Sequence, residues 1–519
     1  MKKFLAILLC LSMLICMIPL VASAEDNGET PQLTSQQQYM IAQGYVDEEL
    51  NDIPDDNWEP VTTLAEFKAM AGNVNYYLKN DIAVDLTVET SLPLVVDANK
   101  FYADLDGCGY SVVFEEGKNS FSWNNSGGLL FATFGGNVIK NLTVGSEAVP
   151  VNVTLTKAGG TNFGIIAQKV QNANSKRPLF ENITVYANIS QSSANQPLNT
   201  GLLFGEILNN AYLINCKAVG TIKVNTGVAN VGGFVGLYRP VAATALTLRV
   251  VNCISDVEFS TYNSVKVNST SAFGGLLGAL KLGSNESVHD RLEAYNCLVV
   301  KDLPGLTANE AIGCGANAGP AANCVVNNCA FLSALADGLE LTTENAASIR
   351  FNAPTGIRFY NTVSGLYDTL VNYYGAENVK MGTIIAPKAL IETAGAFTKE
   401  ALGSLNSTTP TYLDVEFENE WYKAPTSSSI GNADVPVTVN TKYEYVGSIV
   451  NILEDNYTLE FCGIGYISYN DGTGWKTIYA DCGEQGIPAF TVRGLAEAVN
   501  ADPDATDAEK AAVAKYLAQ

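Results

Sequence analysis

The feature that most limits what this chain can fold into is an internal repeat between residues 126 and 332. One half of each copy is glycine followed by large apolar residues: SGGLLFATF (126–134), NFGIIAQ (162–168), TGLLFGEI (200–207), VGGFVGLY (231–238) and FGGLLGAL (273–280). The other half is an asparagine inside an apolar run: IKNLTV (139–144), FENITV (180–185), LINCKAV (213–219), VVNCISDV (250–257) and AYNCLVV (294–300), with a degenerate copy VVNNCAFL (325–332). The asparagines are Asn141, Asn182, Asn215, Asn252, Asn296 and Asn328, in steps of 41, 33, 37, 44 and 32 residues. A period in the thirties that stretches in some copies means stacked units with loops of variable length. The copies are strand-rich with no convincing helix, which excludes helical repeats. A WD40 propeller needs Gly-His and Trp-Asp signals, and the chain has one histidine. The fold expected over 57–338 is a right-handed parallel β-helix. Its minimal coil is roughly twenty-odd residues. The excess is assigned to loops such as 172–178, 263–271 and 281–291.

Stacking brings equivalent residues of successive coils to about 4.8 Å. An amide at a repeated position can bond its neighbours above and below. Asparagine also tolerates the left-handed backbone that a coil corner needs. The repeated asparagines are therefore expected to form a structural ladder. Leu142, Ile183, Cys216, Cys253, Cys297 and Cys329 are expected to stack in a second row beside them, whose direction the sequence leaves open.

The segment FYADLDGCGYSVVF (101–114) resembles the F-x-G-x-L-D-G-x-G-H-x-I stretch of bacterial surface proteins with GLUG-type repeats. VGGFVGLY and FGGLLGAL resemble the G-G-L-V-G core of those repeats, and the NLTV, NITV and NC segments their companion strand. The resemblance covers roughly 57–335. Ala103 replaces the first glycine of the pattern and Tyr110 the histidine, and the first copies hold only part of G-G-x-x-G. It implies an exported β-solenoid of adhesin or surface-binding type, and it specifies the fold better than the ligand.

Residues 1–24 read as a signal peptide: Lys2 and Lys3, an apolar run from Phe4 to Leu20, then Ala22-Ser23-Ala24. Neither Cys10 nor Cys16 follows the small residue of a lipobox, and no later run is apolar enough to span a bilayer, so no membrane insertion is expected after cleavage. Residues 25–56 are a polar linker or N-terminal cap. The net charge of −23 opposes nucleic acid and anionic membranes. Of eleven cysteines, nine remain after the signal. Most sit in apolar runs and are expected to be free, buried and packed as small hydrophobes.

Residues 339–519 lose the repeat and read as a β-sandwich-like or α+β module. Strands are expected at 347–353, 356–363, 379–387, 411–418, 442–452, 457–470 and 476–482. A helix or long loop is expected at 389–405, interrupted by Gly395. Helices follow at 490–500 and 506–519, the last with a Thr506/Glu509 capping box. The GIRF, IIAP and GYISY segments resemble a module recurrent at the C-terminus of secreted Gram-positive proteins, a resemblance that implies no particular activity.

Chemistry is sparse. Asp256 and Glu258 share one face of a strand, and Asp104 and Asp106 lie in the LDG segment; solvated surface and turn-capping roles are expected for them. His289 lies in a polar loop with no G-x-S-x-G elsewhere. Cys314, Cys324 and Cys329 lack metal-ligand spacing, so neither a catalytic residue, a metal nor a cofactor is expected. Sugar binding needs exposed aromatic faces with polar neighbours. Trp421, Tyr422, Tyr469, Trp475 and Tyr479 are the candidates, with Tyr466 as core or ligand. The expected function is non-catalytic adhesion or recognition of a glycan or cell-surface ligand by an exported protein. A β-helix polysaccharide lyase or hydrolase and a structural spacer displaying the C-terminal module are the alternatives.

Overall fold

The structure is a computed structural model describing residues 58–518, apart from 73, 91, 97–99, 125–126, 157–160, 172–176, 192–197, 225–228, 240–245, 262–271, 281–290, 304–323, 406–409, 418–422, 433–434 and 482–485. The expected signal peptide and linker, and the loops at 263–271 and 281–290, lie outside the described residues. The chain clusters into two compact units that meet between Ser333 and Ala334.

The first unit is built from parallel pairings between successive repeats, an arrangement compatible with a parallel β-helix. One line of strands runs Phe180↔Leu213↔Val250↔Ala294↔Val326, preceded by Leu105↔Ile139↔Phe180. A second line runs Val112↔Val144↔Val185↔Ala218↔Ser255↔Val299↔Phe331. A third sheet aligns Phe131, Ala167, Phe204, Val235 and Leu277. A fourth aligns Asn162, Asn199, Asn230 and Ala272. The expected single strand at 75–86 is two, Asn75–Leu78 and Ile82–Val84. They join different lines, because the polar Lys79-Asn80-Asp81 lies at the corner between them.

The repeated asparagines lie at such corners. Asn141, Asn182, Asn215, Asn252, Asn296 and Asn328 all have φ between 51 and 54°. The chain enters each in the first line and leaves in the second. The side chain of Asn182 donates to Asn141 Oδ1 at 2.8 Å, and that of Asn141 to Asp106 Oδ1 at 3.1 Å. Farther along the row Asn252 Oδ1 and Asn296 Oδ1 are buried without a partner, so the amide ladder is bonded at its N-terminal end.

The glycine pairs of the other half-repeat have a steric cause. A β-carbon on Gly201 would lie 2.3 Å from the Phe234 carbonyl oxygen, and one on Gly236 2.3 Å from the Thr200 amide nitrogen. No real side chain fits there, so the third and fourth sheets approach closely only through glycine. Inside, Phe101, Phe131, Phe134, Phe180 and Phe204 form a continuous file of rings with centroids 4.4–6.3 Å apart. Cys216, Cys253 and Cys297 point inward beside this core and are buried; their thiols donate to backbone carbonyls at 3.2–3.5 Å. Cys216, Cys253, Cys297 and Cys329 are free thiols.

The second unit holds two four-stranded antiparallel sheets. The first orders Leu341–Arg350, Gly356–Ser364, Val435–Val450 and Thr426–Asn432; the second orders Leu413–Glu416, Val379–Pro387, Phe461–Asn470 and Trp475–Tyr479. Strand Thr426–Asn432 and helix Leu366–Tyr374 were not expected from the sequence. The former, TSSSIGN, has a single large apolar residue in its sequence, so it carries no hydrophobic alternation to read. The sheets pack face to face through glycines: a β-carbon on Gly463 would lie 2.4 Å from the Phe359 ring, and one on Gly447 2.3 Å from Thr383 Cβ. A polar knot crosses the gap, with Thr343 Oγ1 donating to Asn361 Oδ1 (2.7 Å), Asn361 Nδ2 to Thr383 Oγ1 (2.8 Å) and Gly465 N to Thr343 Oγ1 (2.9 Å). The expected helix at 389–405 is two, Lys388–Ala394 and Lys399–Gly403, separated at Gly395 with φ 76°. The terminal helices are Val492–Ala501 and Asp507–Leu517, the latter with the Thr506/Glu509 box.

Candidate functional site

Register decides which aromatic residues of the second unit meet. In antiparallel strands directly paired residues share a face, and alternate residues of one strand do too. Trp475 pairs with Asn470, Thr477 with Ser468 and Tyr479 with Tyr466. Ser468 pairs with Lys380, Tyr466 with Gly382, and Gly382 with Glu416. Trp475, Thr477, Tyr479, Ser468, Lys380 and Glu416 therefore occupy one face of the second sheet, the face turned away from the other sheet.

Half of that face is roofed. Tyr466 lies over Gly382 and is fully buried; its hydroxyl donates to Asp414 Oδ1 at 2.8 Å, and Lys399 Nζ sits 3.6 Å from its ring centre. Tyr479 accepts from the Lys399 amide and donates to Glu400 Oε2, both at 2.9 Å. It anchors the helix Lys399–Gly403, and burial pushes its phenol well above the usual range.

The other half is open. Trp475 is 48 % exposed. Lys380 Nζ lies 5.6 Å from an indole ring centre and 3.1 Å from Glu416 Oε1. The hydroxyls of Ser468 and Thr477 are 2.8 Å apart beside them. A flat apolar ring thus has an ammonium, a carboxylate and two hydroxyls around it.

Tyr469 does not join this face. It is one residue out of phase with Ser468 and Asn470, so it points the opposite way and stacks on Tyr374, with centroids 5.1 Å apart. It is buried against that ring and does not share the face of Trp475. Trp421 and Tyr422 lie outside the described residues. Lys380 and Glu416 were missed in the sequence, although Lys380 is the one charged residue of the strand VKMGTIIAP and Glu416 ends the strand LDVE.

On the first unit, Asp104 Oδ1 accepts from the amides of Asn137 and Val138, and Asp106 Oδ1 from the Cys108 amide. The Asp106 bond is local to its turn, whereas the Asp104 bonds reach the start of strand Val138–Val144 in the next repeat. Asp256 and Glu258 alternate outward on strand Ile254–Thr261, with Lys301 Nζ 3.6 Å from Asp256. Two charged groupings were not foreseen because their members lie far apart in the chain. Glu293 is held by Arg249 and Arg291, each at 2.7 Å. Asp106, Lys140 and Glu181 occupy consecutive rungs of one row. Lys140 Nζ is 3.1 Å from Asp106 Oδ2. Burial pushes the Glu181 carboxyl upward, with Asp106 adding to the shift and Lys140 opposing it. His289, Cys314 and Cys482 lie outside the described residues.

No family model matches this chain, and no curated protein matches it. Among solved structures it is similar to a protein described as "a putative immunoglobulin A1 protease from Bacteroides ovatus", at 13 % identity and a TM-score of 0.34, over 55 % of this chain and 87 % of that one.

Proposed function

We propose that this chain is an exported surface or extracellular recognition protein that binds a glycan through the open sheet face around Trp475. In this reading the first unit is a right-handed parallel β-helix with GLUG-like repeats, and it carries the second unit as the binding module. The observation that supports it is the half-exposed indole flanked by Lys380 and Glu416. A soluble domain gains nothing in stability from leaving such a ring in water, whereas an exposed ring with hydrogen-bonding groups at its edge suits a sugar ring. The test is a glycan array with the mature chain and its Trp475→Ala variant. Binding that disappears in the variant supports the reading. Binding that is unchanged, or no binding by either protein, overturns it, and the latter leaves the display-spacer reading.

A polysaccharide hydrolase or lyase is favoured by one feature, the Glu181 carboxyl raised by burial next to Lys140. A carboxyl shifted upward is moved in the direction a general acid needs. Release of reducing ends or unsaturated uronates from polysaccharides, abolished by Glu181→Gln, would establish that reading; inert polysaccharides would remove it.

A further inference from the structure

We infer that the glycan taken by the Trp475 face is neutral, a chain of uncharged hexoses and not a uronate, sialylated or sulfated polymer; this rests on the recognition reading above. The reason is the charge balance of the face. Each of its ammonium groups already has a carboxylate. Lys380 Nζ is 3.1 Å from Glu416, and Lys399 Nζ is 2.5 Å from Asp414. Glu400 adds a third carboxylate beside Tyr479. The described charges around the ring therefore sum to slightly negative, within a chain of net charge −23. An anionic sugar would have to displace a carboxylate from its lysine, and it would meet like charge from the rest of the molecule.

A neutral hexose meets no such cost. Its C–H face covers the indole, as an apolar surface prefers. Two adjacent hydroxyls then reach Lys380 and Glu416, one accepting and one donating, so the ion pair is bridged and not broken. Both side chains are about half exposed, at 47 and 53 %, and so are free to rotate toward a ligand. The Ser468 and Thr477 hydroxyls can extend the contact. Binding built this way carries little net charge and should respond weakly to salt.

The experiment is tryptophan fluorescence and calorimetric titration of the mature chain with cellohexaose, maltohexaose and mannohexaose, against hexagalacturonate and sialyllactose. At least one neutral hexasaccharide should bind, at least tenfold better than either acidic probe. Its affinity should change less than twofold between 0.05 and 0.5 M salt. Trp475→Ala should weaken it at least tenfold. Glu416→Lys, at an exposed position, frees Lys380 from its partner and adds a second cation; it should lose neutral binding and gain hexagalacturonate. Trp475-dependent binding of an acidic probe in preference to the neutral ones overturns the inference while leaving glycan recognition standing. No binding by any probe overturns both.

Discussion

Replacing the corner asparagines by alanine and by glycine separates the two functions of these residues. Asn182 has φ 52° and donates to Asn141 at 2.8 Å. Alanine in the left-handed region costs about 1–2 kcal/mol, and the lost neutral hydrogen bond about 0.5–1.5 kcal/mol. Asn182→Ala should therefore destabilise the first unit by about 1.5–3.5 kcal/mol. Asn182→Gly retains the backbone conformation and loses the bond, at about 0.5–1.5 kcal/mol. At Asn252, with φ 53°, the side-chain oxygen is buried and has no partner. There Asn252→Ala should cost about 1–2 kcal/mol for the backbone alone. Asn252→Gly should be close to neutral, since it also removes an unsatisfied buried acceptor. The full chain has two units and need not unfold in one step. Hydrogen exchange of peptides spanning residues 179–191 and 247–261 reads local opening instead. Glycine variants as unstable as the alanine variants at both sites would refute the left-handed corner as the reason for asparagine. Equal costs at Asn182 and Asn252 would refute the ladder bond.

Two further outcomes follow from buried groups. Cys216, Cys253 and Cys297 should resist iodoacetamide in the native chain and react fully in denaturant without reductant, as counted by mass spectrometry; disulfides among them would contradict the inward thiol row. In the second unit Asp368 accepts from the Tyr443 hydroxyl and the Asn440 amide, but burial outweighs both and raises its carboxyl above the usual value. A raised acid binds its proton more tightly folded than unfolded. Its contribution is thus fully present below the unfolded value of about 3.9 and is lost as pH rises through the folded value. Asp368→Asn should flatten that part of the Tm–pH curve between about pH 4 and neutrality, and parallel curves for the two proteins would show that Asp368 does not titrate this way.

Much of the first unit was legible because its strand pairing is between copies of one pattern. Once IKNLTV, FENITV and VVNCISDV are aligned, the register Ile139↔Phe180 and Leu213↔Val250 follows from stacking like on like. The same alignment showed that Cys253 stands where Leu142 and Ile183 stand. The direction of that row was not legible, since asparagine and its neighbour lie on either side of a corner whose φ the sequence does not state. The other ladders, Asn162–Asn199–Asn230 and Asn152–Asn188, escaped notice because their asparagines fall at the edge of the repeated words or outside them.

The stacked repeats, the glycine and asparagine corners and the positions of most C-terminal strands are legible in the sequence alone. These follow from local conformation and short-range periodicity. Tertiary structure decided which aromatic rings are available. Tyr469 and Trp475 are six residues apart in one hairpin, yet pairing across the strands puts them on opposite faces. It also brought Lys380 and Glu416 to the indole from 95 and 59 residues away in sequence. A site of that kind is a product of register between distant strands, and no local stretch of the chain encodes it.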